Sequence, residues 1–325
     1  MYDYFMEELV YQMFILGTGE CLYDALNKGL GGVIFFTKDI KSLPQFKKLI
    51  NDIKKESMIS PFLSIDQEGG RVERTENIHS RYLSPRIAYK KGEVFLRNQT
   101  SKIAEELKEY GINLNFAPCA DVNTNPNNPI IGERAFSDKP DDVIKGVDLS
   151  VSVYKDHGVI PCIKHFPGHG DADKDSHLTL PQINLSLEDM ENIHIKPFKH
   201  SVENGIDMIM AAHLHCTCFD KEIIPSSLSG NAIGYLRNRL GYNSVIISDD
   251  MVMKGVQQFG STEACIMGIK AGLDMFIFRD ADENAINAIN GIIDIAKNDE
   301  NIFNLIKKSN ERIKNLKNKY KILDK

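Results

Sequence analysis

The sequence predicts a (β/α)8 TIM barrel, a fold of the α/β class, and three observations lead to it. Eight short runs are apolar and often β-branched, which is typical of parallel strands buried on both faces. Segments with the apolar spacing of amphipathic helices lie between most of these runs. Glycines stand where helices should end before a strand, at Gly111, Gly158, Gly205, Gly241 and Gly272.

The eight predicted strands occupy residues 12–16, 32–36, 61–66, 113–117, 159–165, 208–213, 244–249 and 275–278. The predicted helices between them cover residues 43–53, 95–110, 143–157, 187–204, 229–240 and 262–271. Ser186, followed by acidic Glu188 and Asp189, has the pattern of a helix N-cap. The tail, residues 301–325, has apolar residues at helical spacing, which predicts a final helix packed on the barrel exterior. We therefore expect one domain over residues 1–325.

A doubly wound open sheet is the alternative arrangement of alternating strands and helices. Its dinucleotide-binding form carries a Gly-x-Gly-x-x-Gly motif after the first strand, and this sequence has none there. A chain of 325 residues is also an ordinary length for an α/β barrel. The barrel is therefore the favoured fold.

Composition and charge restrict the partners and the compartment. A formal net charge of −6 gives no electrostatic reason to bind nucleic acid or an anionic membrane. No apolar run is long enough to span a bilayer, and the acidic start of the chain lacks the basic residues of a signal peptide. The six cysteines are scattered, which favours free thiols over a disulfide framework. We expect a cytoplasmic protein.

Charged residues follow several of the predicted strands. They are Asp66 after the third, Lys164 and His165 at the end of the fifth, His213 after the sixth, Asp249 and Asp250 after the seventh, and Arg279 and Asp280 after the eighth. The carboxyl ends of barrel strands meet at one mouth, where active sites of this fold lie. The sequence therefore predicts a functional site built from these residues, with Asp249 held rigidly and Asp250 turned away to cap the next helix.

One segment, residues 163–177, is rich in groups that carry chemistry. It begins in a buried strand and continues through a Pro-Gly pair to Asp175 and His177. Residues two apart in an extended chain face the same side, so Asp175 can hold one imidazole nitrogen of His177. A mobile acid–base group beside a fixed carboxylate, Asp249, is equipment for retaining glycoside cleavage.

Five motifs follow one another along the chain: IDQEGGRV at 65–72, NPNNPIIGERAF at 125–136, KHFPGHG at 164–170, DSH at 175–177 and SD at 248–249. In order and spacing they resemble the motifs of family 3 glycoside hydrolases, most closely the bacterial β-N-acetylglucosaminidase branch. The resemblance implies that Asp249 is the nucleophile, His177 the acid–base and Asp175 the residue that orients His177. It implies that the sugar hydroxyls are bound by Asp66, Arg74, Arg134, Lys164 and His165.

His169 lies within the same motif, and we assign it a structural role between Gly168 and Gly170. Those glycines can adopt positive φ, and we expect a loop that opens for substrate and brings His177 in for chemistry.

The resemblance implies exo-hydrolysis of β-linked N-acetylglucosamine (GlcNAc) from a saccharide or muropeptide, with no cofactor or metal. A phosphorylase is a close alternative, because a histidine acid–base does not repel phosphate as a carboxylate does. A metal-dependent barrel hydrolase using His213, His215, His165 and an aspartate is an alternative of another class. In it, residues 213–218 would supply ligands, although a strand end followed by a loop is the favoured interpretation of that segment. A non-catalytic sugar-binding barrel is the third.

Overall fold

The computed structural model of the chain describes residues 2–172 and 180–323, and most of its strands form one barrel. The strands in these residues are β1 (Phe14–Leu16), β2 (Gly32–Phe35), β3 (Phe62–Ile65), β4 (Leu114–Asn115), β5 (Ile160–Phe166), β6 (Gln182–Ile183), β7 (Met208–Ala211), β8 (His215–Cys216), β9 (Val245–Asp250) and β10 (Met275–Phe278). Eight of them close a parallel barrel in the order β1–β10–β9–β7–β5–β4–β3–β2. The predicted fold class is confirmed, and all eight predicted runs contribute a barrel strand.

Seven of the eight barrel strands differ from the prediction by one or two residues at one or both ends, and two of these differences have a local cause. The first strand begins at Phe14 because residue Gln12 still belongs to an N-terminal helix. The fourth strand is only Leu114–Asn115, since the chain leaves the barrel wall before a cis peptide bond between Ala117 and Pro118. β6 and β8 pair with each other in a separate two-stranded sheet, which the sequence did not predict.

Helices surround the barrel. Those in the described residues are α1 (Tyr2–Gln12), α2 (Leu22–Asn27), α3 (Leu43–Glu56), α4 (Pro85–Lys90), α5 (Glu93–Tyr110), α6 (Pro140–Asp156), α7 (Leu187–Asp189), α8 (Lys196–Glu203), α9 (Gly230–Gly234), α10 (Lys254–Gln257), α11 (Ser261–Ala271), α12 (Glu283–Asn298) and α13 (Glu300–Lys319). Short 3-10 turns occupy Thr37–Asp39, Gly132–Arg134 and Ser226–Leu228, and π-helical turns occupy Met190–His194 and Tyr235–Arg239.

The helices follow from local signals. Ser42 caps α3 by accepting a hydrogen bond from the Gln45 backbone, and Asp282 caps α12 in the same way from Ala285. Gly111 and Gly272 end α5 and α11 in the left-handed conformation, as predicted. The predicted helices 187–204 and 229–240 are each divided by a π-helical turn. Helices α1, α2, α4, α10 and α12 were not predicted.

The last helix fastens the chain to the outside of the barrel, as the tail pattern predicted. α13 packs on α1, α11, α12 and β9. Its Arg312 donates to Asp274 Oδ1 at 2.9 Å, and Asp274 precedes β10. The Arg312–Asp274 contact lies at the end of the barrel where the strands begin. None of the described helices is both long and apolar enough to cross a bilayer.

Candidate active site

A cavity of about 390 Å³ opens at the carboxyl ends of the barrel strands. Six residues predicted from the sequence lie together in its wall. They are Asp66, Arg74, Arg134, Lys164, His165 and Asp249. Apolar side chains from β2, β7 and β10, namely Ile34, Met210 and Ile277, also line it. Barrel closure therefore assembles residues that are up to 183 positions apart (66 to 249) in the chain.

Lys164 lies on β5 with only 2% of its surface exposed, and it is held by two acids. Its Nζ lies 2.7 Å from Asp66 Oδ1 and 2.6 Å from Glu68 Oε1. Burial alone would lower the pKa of Lys164, but Asp66 and Glu68 outweigh it and the pKa is raised. Lys164 is therefore a permanent cation of fixed position.

Arg74 also lies beside the carboxylate of Asp66. Its Nη2 lies 3.7 Å from Asp66 Oδ2, and its guanidinium lies 5.6 Å from the centre of the Phe36 ring. Asp66 thus stands between two cations with part of its carboxylate facing the cavity. Such a group can accept hydrogen bonds from neighbouring hydroxyls of a sugar.

Glu68 is a site residue that the sequence reasoning missed. Its carboxylate accepts two parallel hydrogen bonds from Arg134, at 2.9 Å from Nε and 2.8 Å from Nη2. Burial would raise the pKa of Glu68, but Arg134 and Lys164 lower it well below the usual range. A signal was present, since Glu68 follows β3 closely and stands in the same motif as Asp66. Glu68 holds both cations in place without facing solvent.

Asp121 is the second residue that was missed. It is fully buried, and its Oδ2 lies 2.7 Å from His165 Nδ1, while its Oδ1 accepts from the backbone N–H of His169 at 2.6 Å. Burial opposes ionisation, but interactions with His165 and His169 lower the pKa of Asp121. The signal was an acid downstream of the fourth strand, separated from the predicted end of that strand by Pro118, Cys119 and Ala120.

Asp249 is the last but one residue of β9 and is half-buried at the cavity. Burial would raise its pKa, but interactions with His165 and His213, and a hydrogen bond from the backbone N–H of Asp250 at 2.7 Å, lower it. The carboxylate is therefore ionised at neutral pH and ready to act as a base, a nucleophile or a charge stabiliser.

The expectation that Asp250 caps the following helix is wrong. Its Oδ1 accepts from the backbone N–H of Val252 at 3.2 Å, and its Oδ2 accepts from Arg279. Helix α10 begins only at Lys254, after an N-cap residue, Met253, that makes no side-chain cap. Because the turn after β9 is longer than expected, Asp250 instead holds Arg279 at the rim of the cavity.

His169 braces the loop through its backbone, as its assigned structural role requires. Its ring, however, also lines the cavity with 2% of the residue exposed. Neither ring nitrogen has a hydrogen-bond partner among residues 2–172 and 180–323. Burial lowers the pKa of His169 to about 4, so the imidazole is neutral.

The two glycines beside His169 serve close packing. Gly168 has the predicted positive φ, at 124°, and a Cβ there would lie 2.7 Å from the Cβ of His194. Gly170 does not have positive φ; a Cβ there would lie 1.8 Å from the Val122 carbonyl oxygen. Asp175 and His177, the predicted proton-carrying pair, lie outside the described residues, and the predicted loop movement stays a prediction.

The histidines of the 213–218 segment are engaged in ordinary contacts. His213 Nδ1 lies 2.7 Å from Ser227 Oγ, and His215 Nδ1 lies 3.2 Å from the Ile224 carbonyl oxygen. In the described part of the chain, side chains of metal-ligand type gather within 4.8 Å of one another at Cys119, Asp121 and His165, and not around His213 and His215. The segment is a short strand, β8, followed by a loop, as favoured from the sequence.

The sequence of the chain matches known proteins over most of its length. Residues 10–316 match the model of the glycosyl hydrolase family 3 N-terminal domain. The chain is 34% identical over 269 residues to a beta-hexosaminidase of Photobacterium profundum, covering 81% of this chain and 78% of that protein. It is 32% identical over 269 residues to beta-hexosaminidase A of Pseudoalteromonas piscicida, covering 76% of this chain but only 45% of that protein.

Solved structures agree on the fold. A family 3 beta-N-acetylglucosaminidase from Paenibacillus sp. superposes with a TM-score of 0.92 at 29% identity, covering 97% of this chain and 62% of that one. A beta-N-acetylhexosaminidase from Beutenbergia cavernae superposes with a TM-score of 0.89 at 22% identity, covering 96% of this chain and 98% of that one. The second likeness supports the fold alone.

Proposed function

Because this chain belongs to glycosyl hydrolase family 3, we propose that it is a retaining exo-β-N-acetylglucosaminidase that removes terminal β-linked GlcNAc by double displacement. The names of its relatives, beta-hexosaminidases at 32% and 34% identity, support this choice of sugar. Exo action is taken from the resemblance to the β-N-acetylglucosaminidase branch, and the cavity at the carboxyl ends of the barrel strands offers the sugar its site.

In this proposal the sugar is held by Asp66, Arg74, Arg134, Lys164 and His165. The cations and anions of this set are fixed against each other before substrate arrives, because Glu68 and Asp66 neutralise Lys164 and Arg134. Charge-assisted hydrogen bonds from such pre-positioned groups fix a sugar ring at low entropic cost.

The nucleophile in this proposal is Asp249, and its geometry is the observation that carries the function. An ionised carboxylate, one residue before the end of β9, faces the cavity that the sugar-binding set also lines. Attack of one of its oxygens on the anomeric carbon breaks the glycosidic bond and forms a covalent glycosyl-enzyme. His177, oriented by Asp175, would donate the proton to the leaving oxygen and then take one from water.

The natural substrate in this proposal is a muropeptide, a peptidoglycan fragment processed during cell-wall recycling in the cytoplasm. Two arginines, Arg71 and Arg279, lie at the cavity in addition to the sugar-binding set. Their charge suits an aglycone that carries carboxylates, as muropeptides do. The six cysteines are free thiols, which suits a reducing compartment. The single-domain organisation of residues 1–325 stays a prediction.

The experiment is hydrolysis of aryl β-N-acetylglucosaminides and the matched aryl β-glucosides by the purified chain, with and without phosphate and chelator. We expect free GlcNAc, preference for the acetamido sugar and indifference to chelator. If the product is sugar-1-phosphate, the enzyme is a phosphorylase and not a hydrolase. Loss of activity with chelator would favour the metal-dependent hydrolase, and absence of turnover on any aryl glycoside would favour the sugar-binding barrel.

A test of the acid–base role uses His177→Ala. We expect turnover to fall sharply on substrates with poor leaving groups and less on activated aryl glycosides, because a good leaving group needs no proton. Equal losses on both substrate types would contradict the role of His177.

A further inference from the structure

The two oxygens of the Asp121 carboxylate have different partners. Oδ1 accepts from two backbone N–H groups, those of His165 at 3.2 Å and His169 at 2.6 Å. Oδ2 lies 2.7 Å from His165 Nδ1 and accepts from Cys119 Sγ at 3.2 Å. The backbone therefore fixes which oxygen faces the imidazole, and the carboxylate cannot rotate without losing both amide bonds.

The other nitrogen of the same imidazole faces a group that can only donate. His165 Nε2 lies 3.3 Å from Arg134 Nη2, and a guanidinium has no acceptor. Nε2 must therefore accept, and the ring proton lies on Nδ1, between the ring and Asp121. The two neighbours of the ring specify the same neutral tautomer.

We propose that Asp121 is a positioning residue that fixes the Nδ1–H tautomer of His165, so that Nε2 and Arg134 together receive one sugar hydroxyl. A hydroxyl donates one hydrogen bond and accepts others, which matches an acceptor at Nε2 beside a donor at Nη2. The assignment of the hydroxyl rests on the proposed function, whereas the tautomer does not. Asp121 is sealed from the cavity by His165 and His169 and acts only through them.

Asp121→Asn tests this because the backbone decides how the amide is oriented. The two N–H donors of His165 and His169 hold the amide oxygen at the Oδ1 position, so the NH2 group faces Nδ1. Nδ1 must then accept, and the ring proton moves to Nε2, where it meets Arg134. Both groups that face the hydroxyl are then donors, and its own proton has no acceptor.

The first measurement is the tautomer itself, from the 15N chemical shifts of the His165 ring, assigned with a His165→Gln variant. We expect Nδ1–H in the wild-type chain and Nε2–H in Asp121→Asn. An Nε2–H tautomer in the wild-type chain would overturn the proposal. This result does not depend on whether any variant folds. An Nδ1–H tautomer that persists in Asp121→Asn would also overturn the proposal.

The second measurement is kinetics on an aryl N-acetylglucosaminide. We expect Asp121→Asn to lower kcat/KM by at least about tenfold, the effect of one polar group left unpaired in a buried site. The matched control is Asp207→Asn, which alters another buried carboxylate, 4% exposed against 0% for Asp121, at the other end of the barrel, where it accepts from Tyr320 at 2.8 Å. It should lose stability and keep kcat/KM within about twofold.

An equal loss of kcat/KM in both variants would overturn the proposal, because both would then act through stability. A wild-type chain inactive on every glycoside would refute the proposed function and leave the tautomer measurement to decide on Asp121.

Discussion

Two cavities of similar volume lie at opposite ends of the barrel, and they differ in the charges around them. The cavity at the carboxyl ends of the strands holds about 390 Å³, and the one at the amino ends holds about 430 Å³. The first, the mouth cavity, is lined by cations and carboxylates. The second, the bottom cavity, has lysines as its charged lining within the described residues, namely Lys54, Lys108 and Lys321. Volume therefore does not distinguish the two; their chemistry does.

The charges of the two cavities also differ in how firmly they are held. In the mouth cavity, Lys164 is 2% exposed and lies within 2.7 Å of two carboxylates. At the bottom, the three lysines are exposed and have no ion pair among the described residues. Fixed charges are pre-organised for a ligand, whereas an exposed lysine must lose side-chain freedom to bind one. The mouth cavity, with its fixed charges, is therefore the site that we propose for catalysis.

The largest expected effect belongs to Asp249 in the mouth cavity. Asp249→Asn removes the proposed nucleophile at constant size, and we expect kcat to fall by about 10⁴-fold or more on an aryl N-acetylglucosaminide. Asp280→Asn is the control, because Asp280 pairs with Lys38 at the rim and does not line the cavity. A kcat within tenfold of wild type for Asp249→Asn would show that the nucleophile lies elsewhere.

The second effect concerns the buried acid that holds two cations. Glu68→Gln leaves Arg134 and Lys164 without their shared countercharge, and we expect the free energy of unfolding to fall by about 3 kcal/mol, with a raised KM. Urea denaturation and steady-state kinetics measure the two quantities. The control is Glu133→Gln, because Glu133 is exposed and directly precedes Arg134 in the sequence. If both variants are equally stable, the Glu68 network contributes no net stability.

The third effect concerns Lys317, a buried lysine at the bottom of the barrel. Lys317 is 1% exposed, and its Nζ donates to Gln12 Oε1 at 2.9 Å and lies 5.1 Å from the Phe62 ring centre. Burial lowers its pKa to about 7, so above pH 7 the folded chain loses a proton that the unfolded chain keeps up to about pH 10. The free energy of unfolding should therefore rise with pH across that window, by at most about 1.4 kcal/mol per pH unit from this group.

Lys317→Met tests that prediction. The variant should lose this part of the pH dependence, be more stable than wild type at pH 7, and keep its kcat/KM. Urea denaturation of both proteins from pH 7 to 10 measures the difference. Parallel stability curves for the two proteins would show that Lys317 does not titrate in this range.

The smallest effect concerns the bottom cavity itself. Replacing Lys54 and Lys108 together by alanine should leave kcat/KM within about twofold and the free energy of unfolding within about 0.5 kcal/mol, as for exposed residues that form no ion pair with the residues that the structure describes. Activity assays and denaturation of the double variant check both numbers. A clear loss of activity would mean that the two ends of the barrel are coupled.

The mouth residues that the sequence could predict are those close to the end of a well-formed strand. Asp66, Lys164, His165 and Asp249 each follow or end an apolar run, and that position alone directs a side chain to the mouth. Arg74 and Arg134 came only from the resemblance, since they stand in loops. Asp121 was not predicted as a site residue, because β4 has only two residues and the chain turns at Pro118 before it reaches Asp121.

By itself the sequence determined the alternation of strands and helices, because apolar periodicity and glycine stops are local properties of the chain. Only the tertiary structure decided which charges meet. Glu68 bonds Arg134 across 66 positions, and Asp121 bonds His165 across 44, after barrel closure brings neighbouring strand ends into register. A buried charged side chain is stable only where it has a partner of opposite charge. Whether such a partner is present depends on all the residues that pack around it. The spacing of motifs can indicate a site, but the pairing inside it depends on the closed barrel.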